Sequence, residues 1–426
     1  MADWANEREA AVDILIGITK DGGYNNIVLR RELSRGTSLD PRRRASVTGL
    51  VNGVLRNMIY IDYVINLFSN TKTGKMRPFI LNTLRCGVYE ACFTDAKGFA
   101  VCNEAVAAVK RRGLGTLSGF VNGVLRNIIR AADADAVAAP GMSVRYSYPK
   151  WMADGLVGYL GAEETEEMFK VNGTPPDVTV CVNTLKTDRE GLKEILEKEN
   201  ICVSYGRMDE NALHLSKTAD IAGLGSFRDG LFHVMDESAM AAVKTLDSAP
   251  GMTVLDLCAA PGGKSYCAAY LAGNRGRIIS NDIYPHKIKL VRDGADRLGI
   301  GIIETSLYDA AEVNKAWVGI SDRVLVDAPC SGFGIIRKKP DIKFTKTQGD
   351  VEGCAELQKR ILAAAQGYVK PGGRLVYCTC TLTRKENEDN AEWFSNNYPF
   401  TLIGMRRILP QDCGTDGFFV AAFGKG

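Results

Sequence analysis

One stretch limits the choice of fold more than any other: Val254-Leu255-Asp256-Leu257-Cys258-Ala259-Ala260-Pro261-Gly262-Gly263-Lys264-Ser265. Its first residues read as a short buried strand, and the paired glycines turn the chain into a helix predicted over 265–271. A strand, a glycine turn and a helix start together make the ligand-holding corner of an α/β sheet. Glycine lets the backbone approach a ligand closely, and the first N–H groups of the helix point at it. The same letters come near the phosphate-binding pattern G-x-x-x-x-G-K-[ST]. Its first glycine would fall at position 258, which is Cys258, and Pro261 removes one backbone donor. A nucleoside triphosphatase remains a rival reading, with Asp327 at the end of an apolar strand as its magnesium-holding acid.

The residues that follow keep the alternation of strand and helix. Arg277–Asp282 reads as the second strand, Pro285–Leu298 as a helix, 323–327 as the fourth strand and 374–377 as the fifth, entered through Pro371-Gly372-Gly373. Two last apolar runs, 400–405 and 418–423, have no crossover helix between them and are expected to pair antiparallel. Ligands bind at the carboxyl ends of such strands, where several polar residues collect. Asp282 lies 19 residues after Gly263, the spacing at which an acidic side chain takes ribose hydroxyls. Asp309 follows the third strand region, where it can meet an adenine edge or cap a turn.

A chain of 426 residues is too long for one ordinary domain. From Glu7 to about residue 130, apolar residues recur every three or four positions, as in Ala11, Ile14, Leu15 and Ile18, predicting a bundle of five to seven helices over 1–140. Gly49-Leu50-Val51-Asn52-Gly53-Val54-Leu55-Arg56-Asn57 nearly repeats 70 residues later as Gly119-Phe120-Val121-Asn122-Gly123-Val124-Leu125-Arg126-Asn127. Arg56 and Arg126 either contact RNA from helix surfaces or pair with carboxylates inside the bundle. Residues 1–145 hold 20 Lys and Arg against 13 Asp and Glu, leaving −4 on the remainder of a chain of net charge +3. Arg42-Arg43-Arg44 and Lys110-Arg111-Arg112 suit phosphate contacts or merely solvate a face. An Ala- and Asp-rich linker over 131–142 ends in Pro140-Gly141. A small α/β module over 145–230 then follows, with strands near 178–183, 203–205 and 213–215 and a helix at 189–199. The domain at 231–426 completes the chain.

No apolar run is long enough to span a membrane, and the N-terminus has no secretory layout, so the protein is expected in the cytoplasm. The 12 scattered cysteines are expected to be reduced thiols. With no Cys-x-x-Cys pair and only His214, His233 and His286, no metal site is expected and acid–base chemistry falls to Cys, Asp and Lys. Asp327-Ala328-Pro329-Cys330-Ser331-Gly332 and Cys378-Thr379-Cys380-Thr381 follow strands expected to be neighbours. Two cysteines are thereby brought to one rim of the sheet. A lone cysteine there is usually a small buried hydrophobe, whereas two beside an aspartate supply a nucleophile and a partner.

The strings LDLCAAPGGK, DAPCSG and YCTCT, with Gly334-Ile335-Ile336-Arg337-Lys338-Lys339-Pro340-Asp341-Ile342-Lys343-Phe344, resemble the RNA cytosine-C5 methyltransferases. The whole layout is similar to that of the bacterial 16S ribosomal RNA enzymes of the RsmB/Sun/Fmu type. Leu84-Arg85-Cys86-Gly87-Val88-Tyr89-Glu90 and Val101-Cys102-Asn103-Glu104-Ala105-Val106 fit the helices of a NusB-like RNA-binding domain. The resemblance implies a Rossmann-like, S-adenosylmethionine-dependent methyltransferase domain behind a small α/β module and an all-helical NusB-like domain. It further implies 16S ribosomal RNA as the substrate, and the protein is expected to be a monomer. On the family pattern Cys258, Ala259, Ala260, Pro261, Gly262, Gly263 and Lys264 hold the cofactor, with Asp282 on its ribose and Asp309 near its adenine. Asp327 lies where cofactor and cytosine meet, Cys380 is the nucleophile, and Cys330 takes part in releasing the product. An RNA-binding factor with an inactive methyltransferase-like domain is a second rival, opposed by the presence of both cysteines. The chain departs from the pattern at Cys378, where a small residue is usual, and at Cys181 and Met235, where relatives often carry Arg and Gln.

Overall fold

The computed structural model describes residues 4, 6–20, 23–35, 40–133, 137–138, 140–216 and 220–426. The chain divides into two units, Met1–Thr174 with Ile336–Thr345, and Pro175–Ile335 with Lys346–Gly426.

In the first unit the three-and-four spacing of apolar residues becomes the helices Glu7–Thr19, Asn25–Arg35, Pro41–Phe68, Pro78–Phe93, Gly98–Arg111 and Ser118–Asp133. Their starts are set locally. The Asn6 side chain accepts from Glu9 N–H, and Asp40 accepts from Arg43 N–H just ahead of Pro41 in the first turn. The buried stripe includes Ile14, Leu15, Val54, Leu55, Leu84, Val88, Leu125 and Ile128. Each such side chain contributes about 1.5–3 kcal/mol by leaving water.

Both copies of the doubled motif bury the same apolar positions, Val51, Val54 and Leu55 in one and Val121, Val124 and Leu125 in the other. Their arginines part company. Arg126 is exposed, whereas Arg56 is buried. The reason is the segment Ile336–Thr345, which packs within this unit. Arg56 donates to the Arg337 carbonyl at 3.2 Å, and the Lys343 amine, 2% exposed, donates to the Arg56 carbonyl at 2.6 Å. Tyr60 N–H, the usual helical partner of that carbonyl, donates to Ser147 Oγ at 2.9 Å. Asp341 accepts from Asn25 N–H at 3.1 Å. Arg56 is thus buried and held by a backbone carbonyl, and among the described residues no carboxylate pairs with it. The basic triplets are also partly engaged: Arg43 pairs with Glu7 at 3.2 Å, Arg111 with Glu9 at 2.5 Å, and Arg112 with Asp13.

The expected linker falls partly outside the described residues, at 134–136 and 139. The helix before it runs on to Asp133, and a short helix, Met142–Arg145, follows. Helices Lys150–Leu160 and Ala162–Asn172 belong to the first unit, where Phe169 stacks on Tyr148.

The second unit opens with four antiparallel strands, β1 (Val178–Val182), β2 (Cys202–Tyr205), β3 (Ala212–Ser216) and β4 (Phe232–Val234), in the order β2-β3-β1-β4. Helix Arg189–Lys198, capped by Asp188, buries Leu192 and Leu196 in the same apolar cluster as Val180, Leu213 and Phe232. The three-residue β4 is too short to have stood out by its pattern.

The larger sheet comprises β5 (Thr253–Asp256), β6 (Arg277–Asp282), β7 (Ile303–Leu307), β8 (Ser321–Asp327), β9 (Val369–Thr379), β10 (Phe400–Ile408) and β11 (Phe418–Lys425). Its order is β10-β11-β9-β8-β5-β6-β7, parallel from β9 to β7 and antiparallel at β11 and β10. Leu255 stands opposite Ile279 and Val324, and Val324 opposite Leu375, all fully or nearly fully buried. Continuous apolar strands of this kind are buried on both faces. Strand order reverses between β5 and β8, so the loops after these two strands diverge and leave a crevice above their carboxyl ends.

Candidate functional site

At that crevice, β5 ends in Asp256, the loop continues through Cys258–Gly262 and the helix Gly263–Leu271 begins. Gly262 has φ +112°, and a Cβ there would meet the Tyr266 hydroxyl at 2.2 Å. Glycine is therefore required by both backbone and space. Cys258, Ala260, Gly263 and Lys264 are partly exposed along this turn, Pro261 is exposed, and Ala259 and Gly262 are buried.

Asp256 is 1% exposed. Its Oδ2 accepts from Ser265 Oγ at 2.7 Å, and Ser265 Oγ in turn accepts from Ser280 Oγ at 2.8 Å. Its Oδ1 has no hydrogen-bond partner among the described residues. Desolvation by burial pushes this carboxyl up to about 7, against the hydrogen bond from Ser265. A carboxyl raised this way stabilises the fold below its unfolded value, 3.8, and that contribution disappears as pH rises through about 7. In ligand-free protein, Asp256→Asn should therefore match the wild type in thermal midpoint near the acid end of this window. It should become the more stable protein toward pH 8, by at most about 4 kcal/mol. Melting curves across the window check this.

Asp282 closes β6, 7% exposed, with Oδ1 accepting from Tyr284 N–H at 3.0 Å and the Lys287 amine 4.0 Å away. Asp309 stands two residues past β7, where its Oδ1 accepts from Ala311 N–H at 2.9 Å as a turn cap. Asn281, fully buried, ties the strand ends together by donating to the Leu257 carbonyl and the Tyr308 carbonyl, each at 3.0 Å.

On the other side of the crevice, Asp327 ends β8 and accepts from the Lys264 ammonium at 2.6 Å. Burial, the largest single effect, would lower the Lys264 pKa, but the charge and hydrogen bond of Asp327, together with Cys378 and Cys380, outweigh it and hold it raised. Three residues past β8, Cys330 Sγ lies 3.3 Å from Cys380 Sγ, one residue past β9. Both residues are only partly buried. The contact with Cys380 and then burial raise the Cys330 thiol well above its ordinary value, and either sulfur can donate the S–H of the contact. The two loops are pinned together by the backbone: Gly334 N–H donates to the Cys380 carbonyl at 3.0 Å and Gly417 N–H to the Gly334 carbonyl at 2.8 Å. A Cβ at Gly334 would lie 1.9 Å from the Gly417 oxygen. No larger side chain could occupy that position without moving the pair apart.

The additional cysteine is elsewhere. Cys378 is still within β9, fully buried, with its S–H toward Asp327 Oδ1 at 3.6 Å. Burial raises its pKa, which removes it from the rim and from ready oxidation. Cys181 and Met235 are likewise buried, in the core beneath the glycine turn. Sequence reasoning passed over the orphaned oxygen of Asp256, although its place at a strand end before the loop was a usable signal.

Family models match three successive parts of the chain: a NusB family model over residues 5–130, a ferredoxin-like domain of RsmF/B-type methyltransferases over 148–222, and 16S rRNA methyltransferase RsmB/F over 243–424. A probable ribosomal RNA small subunit methyltransferase B of Bacillus subtilis is 37% identical, with 98% of each chain covered. The chain belongs to the RsmB/F methyltransferase family. A second relative so named, from Synechocystis, is 31% identical over 98% of this chain and 99% of its own. A methyltransferase homolog from Pyrococcus horikoshii superposes with a TM-score of 0.60 at 28% identity, covering 68% of this chain and all of that one. Membership makes the protein an S-adenosylmethionine-dependent methyltransferase and removes the triphosphatase reading of the glycine turn. The RsmB/F crevice suits that cofactor. A buried, orphaned carboxylate oxygen and a second carboxylate at the next strand end are acceptors matched to a cationic ligand bearing a ribose diol.

Proposed function

We propose that this protein transfers a methyl group to C5 of a cytosine in small-subunit ribosomal RNA, through a transient bond between the Cys380 sulfur and C6 of the base. The observation that carries this reading is the pair of thiols 3.3 Å apart beside the Lys264–Asp327 ion pair. Support for the substrate comes from the relatives, which are named as ribosomal RNA small subunit methyltransferases and align with almost the whole chain. In this reading the Cys258–Lys264 turn holds the cofactor, Asp282 its ribose hydroxyls and Asp309 its adenine edge, while Asp327 faces both cofactor and cytosine. Bound S-adenosylmethionine supplies an electrophilic methyl group.

Cytosine C5 is a poor nucleophile until a thiolate adds at C6 and pushes electron density toward C5. Cys380 makes that bond, and Asp327 supports charge at the N3/N4 edge of the ring. Once C5 carries the methyl group, its proton leaves to solvent and the C6–S bond breaks with its electron pair returning to Cys380. Cys330 S–H hydrogen-bonds that departing sulfur and so assists release. A paired target base must first leave its stack.

Nucleoside analysis of RNA methylated by the purified protein should find 5-methylcytidine. Methyl groups on ribose oxygen or cytosine N4 would contradict the proposal. For RNA contact, exposed arginines of the helical unit are the better probes, because deleting residues 1–140 would also strip Ile336–Thr345 of its partners. Arg42→Ala and Arg126→Ala should each weaken RNA binding and flatten the salt dependence by about one unit in slope if they meet a phosphate. Binding titrations over a salt series measure this, and unchanged slopes would take these side chains out of the interface.

A further inference from the structure

Beneath the paired thiols lies a carboxylate with no part in the scheme above. Glu386 is fully buried. Its Oε1 accepts from Ser331 N–H at 2.8 Å and from Gln358 Nε2 at 3.1 Å, and its Oε2 from Ser331 Oγ at 2.5 Å and Thr383 Oγ1 at 2.8 Å. Four neutral donors thus surround one carboxyl group, an arrangement that offsets its removal from water. Gln358 Nε2 also donates to the Pro329 carbonyl at 2.8 Å. The residues on both sides of Cys330 are therefore gripped, Ser331 directly and Pro329 through Gln358. Because Ser331 Oγ spends its single proton on Glu386, Thr381 Oγ1 must donate to Ser331 Oγ, at 2.7 Å, while accepting from Phe333 N–H at 3.2 Å. Thr381 follows Cys380, so the same carboxylate ties together the two loops that carry the sulfurs.

We propose that Glu386 is a positioning residue for product release: by holding Pro329 and Ser331 it keeps the Cys330 sulfur in place beside Cys380. Its charge also helps keep Cys330 protonated, behind the larger effects of the Cys380 contact and burial. The proposal rests on the covalent reading above and assigns Glu386 to release, separate from bond formation and methyl transfer.

The test compares Glu386→Ala, Glu386→Gln, Ser331→Ala and, as a reference, Cys330→Ala, each as full-length protein with RNA substrate and S-adenosylmethionine. Glutamine fits the site. Its oxygen can take the Ser331 and Gln358 N–H groups, and the Ser331 and Thr383 hydroxyls can turn to accept from its NH₂. In Glu386→Ala, first-turnover methyl transfer should stay within about threefold of wild type while release of the RNA slows about tenfold or more, so that protein–RNA adduct builds up on denaturing gels. Ser331→Ala should do the same in milder form. Glu386→Gln should restore release, with its pH profile moved to the acid side because a nearby negative charge has gone. Equal loss of transfer and release in Glu386→Ala, or a glutamine variant no better than alanine, would overturn the proposal. If Cys330→Ala itself accumulates no adduct, the covalent reading has failed and this proposal falls with it. An adduct in Cys330→Ala but not in Glu386→Ala or Ser331→Ala refutes the role of Glu386 alone.

Discussion

Cys330→Ala is expected to leave the protein bonded to its RNA: methyl transfer proceeds, release slows by about 10²-fold or more, and a denaturing gel shows the adduct. Cys380→Ala should give neither adduct nor methylated RNA. The difference comes from the chemistry of two sulfurs 3.3 Å apart. In the proposed reaction, removing the sulfur that forms the C6 bond prevents every later step, while removing the one that assists departure stops the reaction after the methyl group has moved. Both residues are only partly buried, so alanine leaves no large cavity and the fold should persist. An adduct in Cys380→Ala together with a free Cys330→Ala protein would exchange the two roles.

The second large effect is expected at Asp327. Its carboxylate neutralises Lys264 at 2.6 Å, with side-chain exposures of 28% and 14%. Asp327→Asn leaves that ammonium half-buried without its partner and, in the proposed reaction, takes from the cytosine edge the group that supports charge there. We expect a loss in kcat of about 10²–10⁴-fold, and destabilisation of about 1–3 kcal/mol, less than for a fully buried pair because solvent still reaches it. Lys264→Met leaves an unpaired carboxylate instead. A double-mutant cycle should show that the two substitutions together cost less stability than the sum of each alone. Strict additivity would mean that the pair contributes nothing as a pair.

Much of the catalytic sheet could be read from the chain because its signals are local. The apolar runs that became β5, β6, β8 and β9, the glycine turn at Gly262-Gly263 and the antiparallel pair at the end each depend on a few consecutive residues. Neighbouring parallel strands then bring Cys330 and Cys380 to the same edge without further information. What escaped depends on residues far apart in sequence. Arg56 and Arg126 sit in nearly identical motifs, yet one is buried because a segment some 280 residues later lies over it. Cys378 and Cys380 differ only in whether β9 has ended: the strand continues to Thr379, so the first sulfur stays inside and the second reaches the rim. Glu386 resembles any surface glutamate in a run of polar residues, Arg384-Lys385-Glu386-Asn387-Glu388. Only the fold supplies the four donors that make its burial tolerable. Asp256 could be placed at a strand end from sequence, but its unpartnered oxygen and raised pKa arise from packing.

The most direct measurement is the mass of the cross-linked peptide. After Cys330→Ala is incubated with RNA and S-adenosylmethionine, nuclease and protease digestion should yield the peptide containing Cys378 and Cys380 with a nucleotide attached. Fragmentation should place the bond on Cys380 and a methyl group on the cytosine. A nucleotide on another residue, or a methylated cytosine produced with no protein–RNA bond at any stage, would contradict the account.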